Sequence, residues 1–196
     1  MEKLSSLTIN RSCSLKKINF DGFRLSEGWV GFFERVKPFS VKFVDEAIDV
    51  FLDYFKSELS DFFAISALSF NDNAEYDEEI IKEYGDIYDK AKAYGYLCPL
   101  TESFECYRFG ENPLCAKDIS VHFDNEMFMD ISRLIMAHGG VNGQVFFLIN
   151  LKIGVAIYPH DDTGFGCISL NGIHDVCLGF LKRVEENDNF RVIIDY

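Results

Sequence analysis

The sequence predicts an α+β fold: one domain, with a mainly antiparallel sheet packed with three to four helices. Three observations carry this. The chain has 196 residues, enough for one core that folds alone. Its composition, 48% hydrophobic and 26% charged, belongs to a folded chain rather than a disordered one. Its strand-like runs are joined by connections of hairpin length, which favours antiparallel pairing over a doubly wound parallel sheet. Residues 1–196 read as a single unit, with no repeat, low-complexity tract or long linker. The opening residues 1–12 are polar and are expected to be disordered.

The elements follow in order. "LKKINFDGFRL" alternates as a strand or a hairpin-like arm does. Ser40 stands where a helix cap would, before a helix from Val41 to about Leu59. Val44, Ile48, Phe51, Leu52, Phe55 and Leu59 share its apolar face at steps of three and four. Asp45, Asp49 and Asp53 form a second line, a solvated face or an acidic ridge for a partner. "FFAISALSF", Phe62 to Phe70, has the length and borders of a buried strand. A second helix lies in the acidic stretch that follows, with Ile80, Ile81, Tyr84, Ile87, Tyr88 and Ala91 as its buried stripe. "YLCPLTESFECYRFGENPLCAKDISVHF" reads as two short strands around a turn at Gly110–Pro113. Asp124 caps a helix from Glu126 to His138, closed by Gly139 and Gly140. Three strands come next: Gln144–Asn150, Gly154–Tyr158 and Phe165–Leu170. A last helix runs from about Gly172 to Val184, and "FRVIIDY" closes the chain as a strand. The 20 phenylalanines imply a core lined with their rings.

Charge narrows the function classes. The net charge is −13, unevenly spread: residues 1–40 carry +3 and the remainder −16. Such a surface repels nucleic acid and anionic membrane and attracts basic partners. No secretory leader and no run of about 18 apolar residues is visible, so a cytoplasmic location is expected. The six cysteines form no C-x-x-C and no zinc pattern, and are expected as reduced thiols, Cys167 and Cys177 in the core. Nucleophile-elbow, P-loop and dinucleotide-binding motifs are absent. A Cys115–His122 pair remains open, as does a core or edge role for His122.

One stretch invites chemistry. "IYPHDDTGFG", Ile157 to Gly166, sets His160 beside Asp161 and Asp162. Imidazole and carboxylate suit a divalent cation, with His138 or His174 brought near by the fold. Pro159, the two aspartates and Gly164 are equally the chemistry of a hairpin turn, and that reading comes first. The third use is a partner-binding tip.

"VFFLINLKIGVAIYPHDDTGFGCISL" resembles the end of a bacterial family of unknown function whose members carry an F-I-N strand, an apolar strand and a Y-D-D-R-G turn. Phe147, Ile149 and Asn150 overlay the first part, and Tyr158 to Gly164 the turn; Pro159 and His160 interrupt the pattern, and Thr163 replaces its arginine. The whole profile, small and acidic without catalytic motifs, also resembles immunity proteins of contact-dependent growth inhibition. That resemblance implies a bacterial cytoplasmic toxin inhibitor, not an enzyme and without a cofactor. It would bind a basic toxin domain, a nuclease, and would not touch nucleic acid itself. Asp45, Asp49, Asp53, Glu78, Glu79, Glu83, Tyr84 and Asp86 are the expected partner-binding residues. The alternatives are a small metal-dependent hydrolase centred on His160, Asp161 and Asp162, and an interaction domain of another kind.

Overall fold

The computed structural model describes residues 17–20, 22–71, 78–137 and 139–195, with the backbone alone for 78–81. The expected disorder of residues 1–12, and Cys13 and His138, lie outside the described residues. The strands are β1 (Trp29–Arg35), β2 (Phe63–Phe70), β3 (Leu97–Pro99), β4 (Ser120–His122), β5 (Asn142–Asn150), β6 (Val155–His160), β7 (Gly164–Ser169) and β8 (Phe190–Ile194). The α-helices are α1 (Val41–Tyr54), α2 (Glu78–Ala93), α3 (Glu102–Arg108), α4 (Phe128–Ala137) and α5 (Asp175–Val184).

Among the described residues the eight strands form one sheet in the order β3-β2-β5-β6-β7-β1-β8, with β4 also on β2. Only β2 and β3 pair in parallel; the other ladders are antiparallel. The fold is the expected α+β domain. Helices α1, α4 and α5 bury their apolar stripes against one face of the sheet, and α2 packs there through Tyr84, Ile87, Tyr88 and Ala91. The other face is covered by Ile18, Phe20 and Phe23, by Phe104 and Tyr107 of α3, and by Leu114, Ile119 and Val121. Both faces are therefore covered, and the central strands β1, β5, β6 and β7 are buried almost throughout.

Several elements depart from the sequence reading. The described residues of "LKKINFDGFRL", 17–20 and 22–25, form no strand; they are irregular, with a 3-10 turn at Phe23–Leu25. Local polar side chains take the backbone groups a ladder would use: Ser26 Oγ accepts from Asn19 N, and Asn19 Oδ1 from Gly22 N. Helix α1 stops at Tyr54. The chain must reverse there, because Phe55 and Phe62 pack ring against ring, with centroids 5.3 Å apart. Ser40 is extended as a cap should be, but its hydroxyl makes no capping bond. Helix α3 stands where a strand-and-turn reading had placed none; the Thr101 side chain caps it by accepting from Phe104 N. Strand β1 was not anticipated at all.

The core is lined with phenylalanine rings. Phe51 lies 5.0 Å from Phe55, 5.6 Å from Phe62 and 5.2 Å from Phe165, with Phe180 at 6.2 Å. These separations are in the range where aromatic pairs attract beyond their area burial. Cys167 and Cys177 are buried in the same layer, and the five described cysteines are free thiols.

On the short strand β4, His122 stacks on the Tyr96 ring at 3.7 Å, and its Nε2 lies 2.9 Å from Ser120 Oγ. The Ser120 hydroxyl donates to the Ser66 carbonyl, so the imidazole N–H donates to Ser120. Burial lowers the His122 pKa to about 4. The unfolded chain then takes up this proton first, near pH 6.5. The contribution to stability is intact above that pH and is lost as pH falls towards 4. The expected result is an unfolding midpoint that drops over this window, with a shallower drop for His122→Gln. Identical pH profiles for the two chains in thermal melts would contradict it.

Candidate metal centre

β6 and β7 form a hairpin whose last pair is His160 with Gly164, leaving Asp161, Asp162 and Thr163 as the turn. This is the expected hairpin turn, and Thr163 N closes it on His160 O at 3.2 Å. Thr163 has φ 61°, the left-handed region that favours glycine. For a β-branched residue that costs about 1–2 kcal/mol. Strand β1 supplies the restraint: Arg35 N donates to Asp162 O, and Arg35 Nε to Thr163 Oγ1, both at 3.2 Å. Thr163 itself is fully buried. The turn is thus clamped from the side rather than hanging free.

The same strand orients the histidine. His160 Nε2 lies 2.9 Å from the Phe33 carbonyl. A carbonyl only accepts, so Nε2 carries the proton and Nδ1 keeps its lone pair. Metal-bound histidines are commonly held this way, by a carbonyl on the far nitrogen. Burial pushes the His160 pKa down, against the opposing pull of the Phe33 carbonyl, Asp162, Asp161 and Glu34. The ring is therefore neutral at neutral pH, the form that ligates. Phe32 packs edge-on against it, with centroids 5.4 Å apart.

One ligand atom each from His160, Asp161 and Asp162 lie within 4.8 Å of one another, and the burial is graded from His160 inside to Asp162 outside. With bonds of about 2.1 Å, ligands of one cation are about 3.0 Å apart when adjacent and about 4.2 Å when opposite. The observed spread of up to 4.8 Å is a little wider than these separations. Adjacent residues in a strand point to opposite sides; the turn is what brings these three together. This cluster corrects the expectation that the chain is not an enzyme. It equally corrects the description of a purely inhibitory nuclease inhibitor, since a ligand set suited to a metal-binding catalytic site is present.

The other expected residues fall elsewhere. His174 precedes α5, beyond the far end of β7, one strand length from the turn. His122 is engaged with Ser120 and Tyr96 as described. On α1, Asp45 pairs with Arg133 and Asp53 with Arg183, at 3.2 and 3.3 Å, while Asp49 is exposed. Glu78 and Glu79 open α2, and Glu83 and Asp86 are exposed on it. Tyr84 is 5% exposed and its ring belongs to the core, so it presents no anchor on the surface. Burial raises its pKa to about 12.

Sequence reasoning missed Phe33, Arg35 and Thr163 as parts of the site. A backbone carbonyl 127 positions away leaves no residue signature. The visible signal was Gly164: a Cβ there would lie 1.8 Å from the Phe33 oxygen. No protein-family model, curated protein or solved structure matches this chain. No helix among the described residues is long and apolar enough to cross a membrane.

Proposed function

We propose that the protein is a small metal-dependent hydrolase whose divalent cation is held by His160, Asp161 and Asp162. The observation that carries this is the convergence of the three ligand atoms within 4.8 Å. The hydrogen bond from His160 to Phe33 supports it by fixing the tautomer. Three protein ligands leave coordination positions for water and substrate, the arrangement of catalytic rather than structural sites. A nitrogen and two carboxylates suit Zn²⁺ or Mn²⁺. A cation held by these residues would supply Lewis acidity for the activation of water near neutral pH. Binding of a basic toxin domain through Asp45, Asp49, Asp53 and the acids of α2 would be a separate activity, supported by the acidic charge, the two acidic segments and the resemblance of the whole profile.

The test is calorimetric titration of the full chain with Zn²⁺ and with Mn²⁺. One cation per chain is expected, with affinity at least tenfold weaker in Asp161→Asn and in Asp162→Asn. Binding that is absent, or unchanged in both variants, would overturn the reading. Affinity should also fall as pH drops, because the proton and the cation compete for His160.

A further inference from the structure

One of the three cation ligands, Asp161, lines a groove, and the groove has a cause in the sheet. β6 stays laddered to β7 as far as His160 with Gly164. Its ladder to β5 ends earlier, at Ile157 with Leu148. Beyond that pair β5 and β6 diverge. The gap is a groove of about 500 Å³ that includes Phe20, Phe23, Tyr107, Arg108, Gln144 and Asp161 in its lining. That volume is in the range that holds a small organic ligand.

The two sides differ in chemistry. Asp161 lies on the β6 side, as part of the cation centre. Arg108 lies on the β5 side, where its Nη1 donates to Asn142 Oδ1 at 2.9 Å. An amide is a neutral partner, so it orients the guanidinium without cancelling its charge. The aromatic part is fixed as well: the Tyr107 hydroxyl donates to the Phe20 carbonyl, and the Phe23 ring lies 5.5 Å from Phe147 and 4.4 Å from Tyr158. In a chain of net charge −13, the charged residues of this lining balance, Arg108 against Asp161, and a divalent cation at Asp161 would make the groove locally positive.

We propose that this groove binds a phosphate monoester with an aromatic group, and that this is the substrate class of the hydrolase; the inference rests on the cation reading above. Arg108 would hold the phosphoryl group from the β5 side, and a cation held at Asp161 would supply charge from the other. A tetrahedral dianion offers oxygens towards both sides at once, whereas a planar carboxylate offers only one edge. The aromatic group lies against Phe20, Phe23 and Tyr107. In the reaction the oxygen of water forms a bond to phosphorus, and the ester P–O bond breaks. The departing oxygen takes up a proton released by that water, giving the free alcohol or phenol and inorganic phosphate.

The experiment uses the full chain with phenyl phosphate, inorganic phosphate and benzoate as probes, each with and without Mn²⁺. Calorimetry and ³¹P line broadening by Mn²⁺ are the readouts. Phenyl phosphate is expected to bind the Mn²⁺-loaded chain more tightly than either other probe, and its ³¹P signal to broaden. Arg108→Ala should weaken phenyl phosphate at least tenfold and leave Mn²⁺ affinity unchanged. Asp161→Asn should lose both. If Mn²⁺ binds but phenyl phosphate does not, or binds Arg108→Ala equally well, the groove assignment falls and the cation reading stands. Arg108-dependent binding of phenyl phosphate in a chain that takes no Mn²⁺ would overturn the cation reading and keep the groove. Binding of neither overturns both.

Discussion

Gly164→Ala is expected to destabilise the fold by more than about 3 kcal/mol, beyond the ordinary range of overpacking. The new Cβ would lie 1.8 Å from the Phe33 oxygen and 2.8 Å from its carbonyl carbon. Both are backbone atoms of a central strand, so no side chain can rotate away. β1 would have to withdraw from the β6–β7 hairpin, or the hairpin from β1. Either movement also takes the Phe33 carbonyl off His160 Nε2, so the residual folded protein should bind cation more weakly. Urea unfolding followed by circular dichroism measures the first effect and calorimetry the second. Gly85→Ala is the matched control. It lies within α2 with nothing within 4 Å of its new Cβ. It should be neutral or gain up to about 1 kcal/mol. Equal midpoints for Gly164→Ala and the parent chain would show that the sheet is not packed as described.

Phe51→Ala is the second large effect, about 3–5 kcal/mol. Phe51 is 1% exposed and touches rings from Phe55 just after its own helix, from the segment entering β2, from β7 and from α5. Truncation leaves a cavity bordered by four aromatic rings, which collapse poorly around it. The loss is a large share of the roughly 5–15 kcal/mol that holds a domain together. Leu52→Ala, one position on, removes a side chain only partly buried and should cost much less. A thermal melt of the two variants decides this: similar midpoints would contradict the ring cluster as the centre of the core.

The parts of the fold legible in the sequence were those with local causes. β5, β6 and β7 are apolar runs broken by turn chemistry, and each was found to within two residues at either end. The amphipathic stripe of α1 was legible because one face is buried and the other wet. β1 was not. "WVGFFER" is buried on both faces between β7 and β8, so it shows no alternation, and Gly31 interrupts it. That glycine belongs to tertiary structure, since a Cβ there would lie 2.3 Å from Ile193 O. Helix α3 is seven residues long, too short for a helical period to show. At the site, the ligand types and their adjacency were legible in "HDDTG", but the choice between turn and centre was not. It depends on β1, through the Phe33 carbonyl that selects the imidazole tautomer and the Arg35 contacts that hold Thr163.

The position of β1 also sets a timetable. Its partners β7 and β8 are translated after it, β7 starting about 130 residues later. At roughly 5–20 residues per second, a ribosome needs about 6–26 s to reach β7. During that interval Trp29, Val30, Phe32 and Phe33 have no sheet to join. Contacts so distant along the chain fold slowly, and an unpaired apolar strand is what chaperones bind and aggregates recruit. The strand that orients His160 is therefore one of the first made and one of the last placed, and the centre is assembled only when the sheet is complete.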